Sequence, residues 1–306
     1  MTDRSNTAEL TSNEIVDALT STGLAAGNVV LVHSAMRTLG RVQGGAGTVV
    51  DALLKILGEK GTLVVPTFTF AHEAESDPVI DPTVDRSEMG AITEQVRSRP
   101  NALRSTAYRH SFAAIGRWAE VLSGVDPALA AYDMRSSFGV MLGLNTQVLL
   151  LGVTYSSSTS HHFAEWMCNV PYRHTIDLQV KVRKQDGSVV PQAMVDYQPF
   201  SYGGNRHPDF NRLGKLLEDQ GKVGVGSVGN AVARRFAMRD LVDLAQSLGE
   251  DDPNIFRTAE GKTEEYTLLN TGRIVLSPEM PDGAGRMNRY QWCVLDESKL
   301  GLPSTD

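Results

Sequence analysis

The chain has 306 residues, 41% hydrophobic and 21% charged, ordinary values for a soluble globular fold, and its formal charge of −7 argues against nucleic acid, which needs a basic face. Two cysteines, Cys168 and Cys293, stand far apart in no ligand spacing, which excludes a zinc knuckle, speaks against a disulfide framework and points to a reducing, cytoplasmic setting. No charged n-region with an apolar core opens the chain, and no apolar run approaches the roughly 20 residues of a membrane span, so neither a leader nor a membrane is expected.

After a polar start, Asn13 is placed to cap a helix over Glu14–Thr22, whose Ile15, Ala18 and Leu19 form one apolar stripe. Val29–His33 is a continuous apolar run of parallel-strand type that ends in His33-Ser34. The following loop carries Gly44-Gly45 before a helix over Thr48–Leu57, where free backbone N–H groups could meet a phosphate; an ordinary βα turn is the plainer reading. Gly61–Pro66 is the next strand. The long loop Thr67–Arg86 is acidic, with Glu73, Glu75, Asp77, Asp81 and Asp85, and is either a grip for a cation or a solvated face. Ser87 is placed to cap a helix through Arg97, Arg104–His110 forms a polar loop, and Ser111–Ile115 reads as a strand. Ser136–Leu144 and Gln147–Val153 give one further helix–strand pair.

The stretch Ser156–Asn169 follows the buried run Val148–Val153. Ser158 or Thr159 can cap a helix that carries His162 and Glu165 three apart, on one face, at a strand-to-helix junction of the kind where α/β sheets bind ligands. His161, four residues before Glu165, is an equal rival by spacing alone. Beyond Pro171, Asp186-Gly187-Ser188 joins the alternating runs Ile176–Val182 and Val189–Val195 into a hairpin. Helices over Asp209–Gln220 and Met238–Leu248 follow, and Tyr290–Leu295 reads as a short strand. The expected fold is α/β, a three-layer sandwich with a mostly parallel central sheet and a smaller antiparallel hairpin region after residue 175.

Three other readings compete. Gly224–Gly229 matches G-x-G-x-x-G, but the acids about 20 residues on lie in a polar loop, against a dinucleotide site and an oxidoreductase. Adjacent His161 and His162 point about 100° apart on a helix, against a shared metal. Cys168 is more simply a small buried residue than an acyl carrier.

Several local signals stand in one order: LVHSAM at Leu31–Met36, Gly44-Gly45, GTLVVPTF at Gly61–Phe68, Met89-Gly90, Arg104-Ser105, SFAAIG at Ser111–Gly116, and LLLGV followed by TSHHFAE. Together they resemble the aminoglycoside 3-N-acetyltransferase family, from about Val29 to Arg173, with a weaker echo over Gly226–Leu244. The resemblance implies a single acetyltransferase domain over residues 1–306 that uses acetyl-coenzyme A, without a metal, to acetylate the 3-amino group of 2-deoxystreptamine antibiotics. It implies the hairpin of residues 175–205 as an insertion lining the acceptor side. The family's N-T-x-x-H-x-x-E pattern falls with its histidine on His162 and its glutamate on Glu165; Ser158 replaces the asparagine. Thr159 and Ser160, at the helix start beside exposed N–H groups, could donate to the thioester oxygen. Coenzyme contacts are implied at His33, Ser34, Ala35, Met36 and Arg37, at Gly44 and Gly45, and at Arg104, Ser105, Ser111 and Phe112. Glu73, Glu75, Asp81, Asp196 and Glu165 are expected to receive a small cationic amine. Two departures stand out: Ala107-Tyr108 replaces the family's His-Pro, and Ser201–Asn205 replaces an acidic cluster after the hairpin. A homodimer, an acyltransferase for another small amine and a non-catalytic coenzyme A binder remain open.

Overall fold

The computed structural model describes residues 9–72, 75, 77–107, 109–199, 208–252 and 254–258. Glu73, Tyr108, Ser201–Asn205, Tyr290–Leu295 and Cys293 lie outside the described residues. Helix α1 (Ser12–Ser21) opens on a capping box, not on Asn13: Thr11 N–H donates to Glu14 Oε2 at 2.8 Å, and Glu14 N–H donates to Thr11 Oγ1 at 3.4 Å. The T-x-x-E pattern thus starts the helix two residues earlier than expected. Strand β1 (Val29–Ser34) leads to α2 (Gly45–Leu57) and β2 (Thr62–Pro66). Helix α2 starts three residues before Thr48, because Gly44 and Gly45 turn the chain at φ 76° and 68°, a region other residues avoid.

The acidic loop contains a two-residue strand, β3 (Val79–Ile80), and α3 (Ala91–Arg97) follows. Ser87 does not cap α3. Its hydroxyl lies 3.0 Å from Thr93 Oγ1, and the helix is opened by Gly90 at φ 111°. Then come β4 (Leu103–Arg104), β5 (Phe112–Gly116), α4 (Ala119–Ser123), α5 (Ser137–Gly143), β6 (Gln147–Leu151) and α6 (Ser160–Met167). The hairpin is β7 (Arg173–Arg183) with β8 (Val189–Pro199), extended mainly at its base beyond what its alternation indicates; α7 (Phe210–Asp219), β9 (Gly224–Val228), β10 (Ala231–Ala237) and α8 (Met238–Gly249) complete the order. Among the described residues no helix is long and apolar enough to cross a membrane.

The large sheet has the order β4-β5-β2-β1-β6-β10-β9, with β1 parallel to both β2 and β6 and the remaining pairs antiparallel. Strands β4, β2, β1, β6 and β9 therefore point one way and β5 and β10 the other, a mostly parallel sheet with antiparallel flanks. Alternate residues face opposite layers. Val30, Val32, Leu63, Val65, Leu149 and Leu151 pack under α1, α2 and α3, while Leu31, Val64, Val148 and Leu150 pack under α5, α6, α7 and α8. Each fully buried aliphatic of this kind contributes roughly 1.5–3 kcal/mol through removal from water.

The Gly224–Gly229 motif is the edge strand β9 and its turn, followed by a strand and not by a helix. A Cβ on Gly224 would stand 1.9 Å from the carbonyl oxygen of Thr22, so the glycine lets β9 pack against the end of α1. A dinucleotide fingerprint is thereby excluded.

A second sheet, β3-β7-β8, stands apart from the first. Its hairpin turn is closed by Lys184 N–H donating to Ser188 O and by Asp186 Oδ1 accepting from Ser188 N–H. Strand β3 pairs parallel with β7, Val79 opposite Lys181, so the acidic loop supplies the third strand.

Candidate active site

The carboxyl ends of β1 and β6 lie side by side, Ser34 opposite Leu151, at the point where the chain leaves β1 toward β2 on one side and later returns to β6 on the other. Such reversals leave a crevice beyond the strand ends. The two junctions are tied together: Ala35 N–H donates to Leu151 O at 3.0 Å and Thr38 Oγ1 to Gly152 O at 3.3 Å. Here α6 begins. Neither Ser158 nor Thr159 caps it through a side chain; Ser158 and Ser160 are buried, and Thr159 turns its hydroxyl toward His33 Nε2 at 3.5 Å.

Within the first turn of α6, His162 Nδ1 lies 2.5 Å from Glu165 Oε2. Glu165 is wholly buried, whereas 24% of the His162 side chain reaches solvent. Tyr172 Oη donates to Glu165 Oε1 at 3.1 Å, and Arg173 Nε stands 3.0 Å from Oε2. Burial alone would raise the Glu165 carboxyl, but Arg173, His162 and Tyr172 together hold it below the usual range. Burial and the Arg173 cation lower His162 against the opposing pull of Glu165, so its imidazole is neutral near neutral pH.

His161 points the other way, fully buried among Tyr155, Phe210 and Phe236, with neither ring nitrogen partnered among the described residues. Burial drops its pKa to about 3. Packing thus distinguishes the two histidines: of the pair, His162 has both a carboxylate partner and an outlet to solvent. Cys168 sits at the far end of α6, beside Gly249 of α8.

A second polar group faces the first across Tyr132. Asp196 of β8, almost fully buried, lies 3.3 Å from Arg109 Nη1 and 3.9 Å from His110 Nδ1. The Tyr132 ring stands 5.0 Å from His110 and 6.3 Å from His162. Arg109, His110 and Asp196 border a cleft whose remaining wall is largely apolar, including Leu129, Leu178 and Met194.

On the coenzyme side the candidates divide. Arg37 is exposed, Ser34, Ala35 and Met36 are part-exposed, and a Cβ on Gly45 would meet nothing, so this rim is open, although the first amide of α2, Gly45 N–H, already donates to Val42 O at 3.0 Å. His33 is nearly closed off, and burial lowers its pKa to about 4. Arg104 donates to the carbonyls of Thr67, Pro82 and Asp85, bracing the acidic loop. Ser105, Ser111 and Phe112 are buried, with Ser105 Oγ accepting from Phe112 N–H. Arg104 remains part-exposed, and Phe112 also borders the cleft beside His110 and Asp196.

The acidic loop is also largely self-contained. His72 binds Glu75 and Asp85, each at 3.0 Å, Arg183 reaches Asp81 at 3.3 Å, and Lys181 pairs with Asp77. Glu75 and Asp81 therefore hold the loop to itself and to β7, while Glu165 and Asp196 are the expected carboxylates that reach the site.

Sequence reasoning misses His110, Tyr132, Tyr172 and Arg173. A signal exists for one of them. His110-Ser111 repeats the His33-Ser34 pair, and because β5 runs antiparallel to β2, with Phe112 opposite Pro66, the start of β5 lies at the same end of the sheet as the close of β1.

A buried carboxylate bound to a part-exposed imidazole stands at the strand ends of a three-layer α/β sandwich, an arrangement chemically able to move a proton. A profile of the aminoglycoside 3-N-acetyltransferase family matches residues 31–250, and the chain belongs to that family. It is 32% identical to aminoglycoside N(3)-acetyltransferase IV of a Salmonella species over 79% of this chain and 88% of the relative. It is 29% identical to the SPbeta prophage-derived aminoglycoside N(3')-acetyltransferase-like protein YokD of Bacillus subtilis, over 82% and 97%. The crystal structure of the AAC(3)-IVa apoenzyme superposes with a TM-score of 0.69 at 28% identity, covering 85% of this chain and 95% of that one. A histidine-to-alanine variant of that enzyme, solved in complex with a gentamicin, gives 0.68 at 28% identity, covering 86% and 97%.

Proposed function

We propose that this chain acts in the cytoplasm as one acetyltransferase domain that moves the acetyl group of acetyl-coenzyme A to the 3-amino group of a 2-deoxystreptamine aminoglycoside, conferring resistance. The observation that carries this reading is the 2.5 Å contact between His162 Nδ1 and Glu165, which leaves Nε2 as the acceptor of a proton. The relative's complex with gentamicin supports the acceptor. The rim of Arg37 and the first turn of α2 suit the coenzyme's phosphates, and the hairpin, through Asp196, would wall the acceptor side.

In the step envisaged, His162 Nε2 takes the proton from the acceptor nitrogen as that nitrogen attacks the thioester carbonyl. Thr159 Oγ1 donates to the resulting oxyanion. The C–S bond then breaks, and the His162 proton goes to the departing thiolate, so no group on the protein is acylated. His162→Ala should lower kcat by about 100-fold or more with coenzyme A binding nearly unchanged, measured as thiol release with an aminoglycoside panel and by calorimetry. An active His162→Ala enzyme beside an inactive His161→Ala enzyme would sink the assignment.

A second reading, a smaller amine as acceptor, is favoured by the internal pairing of the acidic loop, which leaves few carboxylates for a polycation. Turnover of a mono-amine without turnover of any 2-deoxystreptamine compound would select it.

A further inference from the structure

We infer that Arg173 is a positioning residue for the reaction: from the root of the hairpin it locks the Glu165 carboxylate onto His162 Nδ1, fixing the one tautomer that presents a bare Nε2. The inference rests on the reading of His162 as the base. Arg173 is the first residue of β7, opposite Pro199 at the base of β8. Its side chain is itself held, with Nη1 donating to Tyr197 O at 3.1 Å and the guanidinium 5.1 Å from the Tyr197 ring centroid. It is only 8% exposed, and Glu165 is not exposed at all.

A carboxylate this deeply buried without a countercharge would take up a proton. A neutral acid donates as well as accepts, so it could face either tautomer of His162. With the cation 3.0 Å from Oε2, an ion pair without hydrogen-bond alignment, Glu165 stays ionised and hence an acceptor, and His162 Nδ1 must carry the hydrogen. The same cation opposes a second positive charge on the ring, so the base stays neutral where the reaction needs it.

The groups around His162 come from several elements: Glu165 on its own helix, Tyr172 and Arg173 at the start of the hairpin, and Tyr132 before α5. Phe210 of α7 packs on the ring, and His110, itself beside Asp196, acts through space. Of these, Arg173 is the cation in direct contact with the carboxylate. Its loss leaves Glu165 and His162 sharing their first proton at a higher pH, as one coupled pair.

The test compares Arg173→Gln and Arg173→Lys with the unaltered protein, using nitrogen-15 spectra of labelled histidine and the pH profile of kcat/KM. His162 is assigned by the signal lost in His162→Ala. In the unaltered protein His162 should show a single tautomer protonated on Nδ1. In Arg173→Gln the spectrum should report mixed tautomers, the acid limb should move up by about one pH unit, and kcat should fall about tenfold or more with KM little changed. Arg173→Lys should keep the limb in place while losing part of kcat, because an ammonium cannot reproduce the guanidinium's simultaneous approach to Glu165 and bond to Tyr197 O. If Arg173→Gln does not fold, Arg173→Lys alone decides. Unaltered tautomer, limb and kcat in the folded variants would overturn the inference. The spectra need no acetyl transfer: the expected tautomer change in a protein that releases no thiol would uphold the role of Arg173 and defeat the acetyltransferase reading.

Discussion

His161 and His162 are neighbours in the chain and opposites in environment. Spacing cannot separate them, since helical residues three and four apart from Glu165 are both within its reach. What separates them is the company supplied from elsewhere: Phe210, Tyr155 and Phe236 close over His161, while Tyr172 and Arg173 turn Glu165 toward His162. Those partners lie on other elements, which no local pattern joins. Since both nitrogens of His161 are buried without partners among the described residues, exchanging the imidazole for a hydrocarbon ring removes unsatisfied polar atoms at little change in shape. His161→Phe should therefore raise the thermal midpoint and leave kcat unaltered; a drop of several degrees would mean that the nitrogens hold internal water that the protein needs.

At the scale of elements, the strands, the main helices and the hairpin are legible in the sequence because their apolar periods are strong: VVLVH, TLVVP and QVLLL could scarcely be anything else. Directions are less legible. Ser111–Ile115 reads as one more strand in a parallel progression, and nothing local shows that it returns antiparallel and brings His110 to the site. The acidic loop invites overreading for the same reason, because the cations that satisfy it, Lys181 and Arg183, are about 100 residues further on. The pairing changes what its mutation should do. Glu75→Gln should leave KM for a polycationic acceptor within about twofold at low salt, whereas Asp196→Asn, a buried carboxylate on the cleft, should raise it about tenfold or more. Steady-state kinetics at two ionic strengths would decide; equal effects of the two substitutions would return the loop to the acceptor site.

For the whole molecule, the buried histidines set the response to acid. His33 and His110 are lowered to about 4 and His161 to about 3, chiefly by burial, against about 6.5 in an unfolded chain. Because the folded values are depressed, the native state resists protons that the unfolded state accepts. Their contribution to stability is whole above about pH 6.5 and is lost as pH falls toward 4 and then 3. Glu94 adds to the loss at lower pH: its hydrogen bonds to Arg97 hold it at about 2, so its share is present above the usual carboxylate range and disappears below it. Urea midpoints should thus fall steadily from pH 6.5 to 4, and His161→Phe should flatten the slope by the uptake of one proton. A midpoint constant over that interval would contradict the burial of these rings.

The antiparallel ladder between β6 and β10 bears on how the molecule is made. Strand β6 is wholly buried in the finished sheet, with β1 on one side and β10 on the other. A chain emerging from the ribosome presents β6 some 80 residues before β10 arrives to cover it, several seconds at ordinary rates of synthesis. Through that interval QVLLL is an open apolar edge, able to pair with any other unfinished strand nearby. The residues beside the candidate base are thus laid down on a sheet that is still unsealed, and the late strand of three small alanines and two arginines is what protects both.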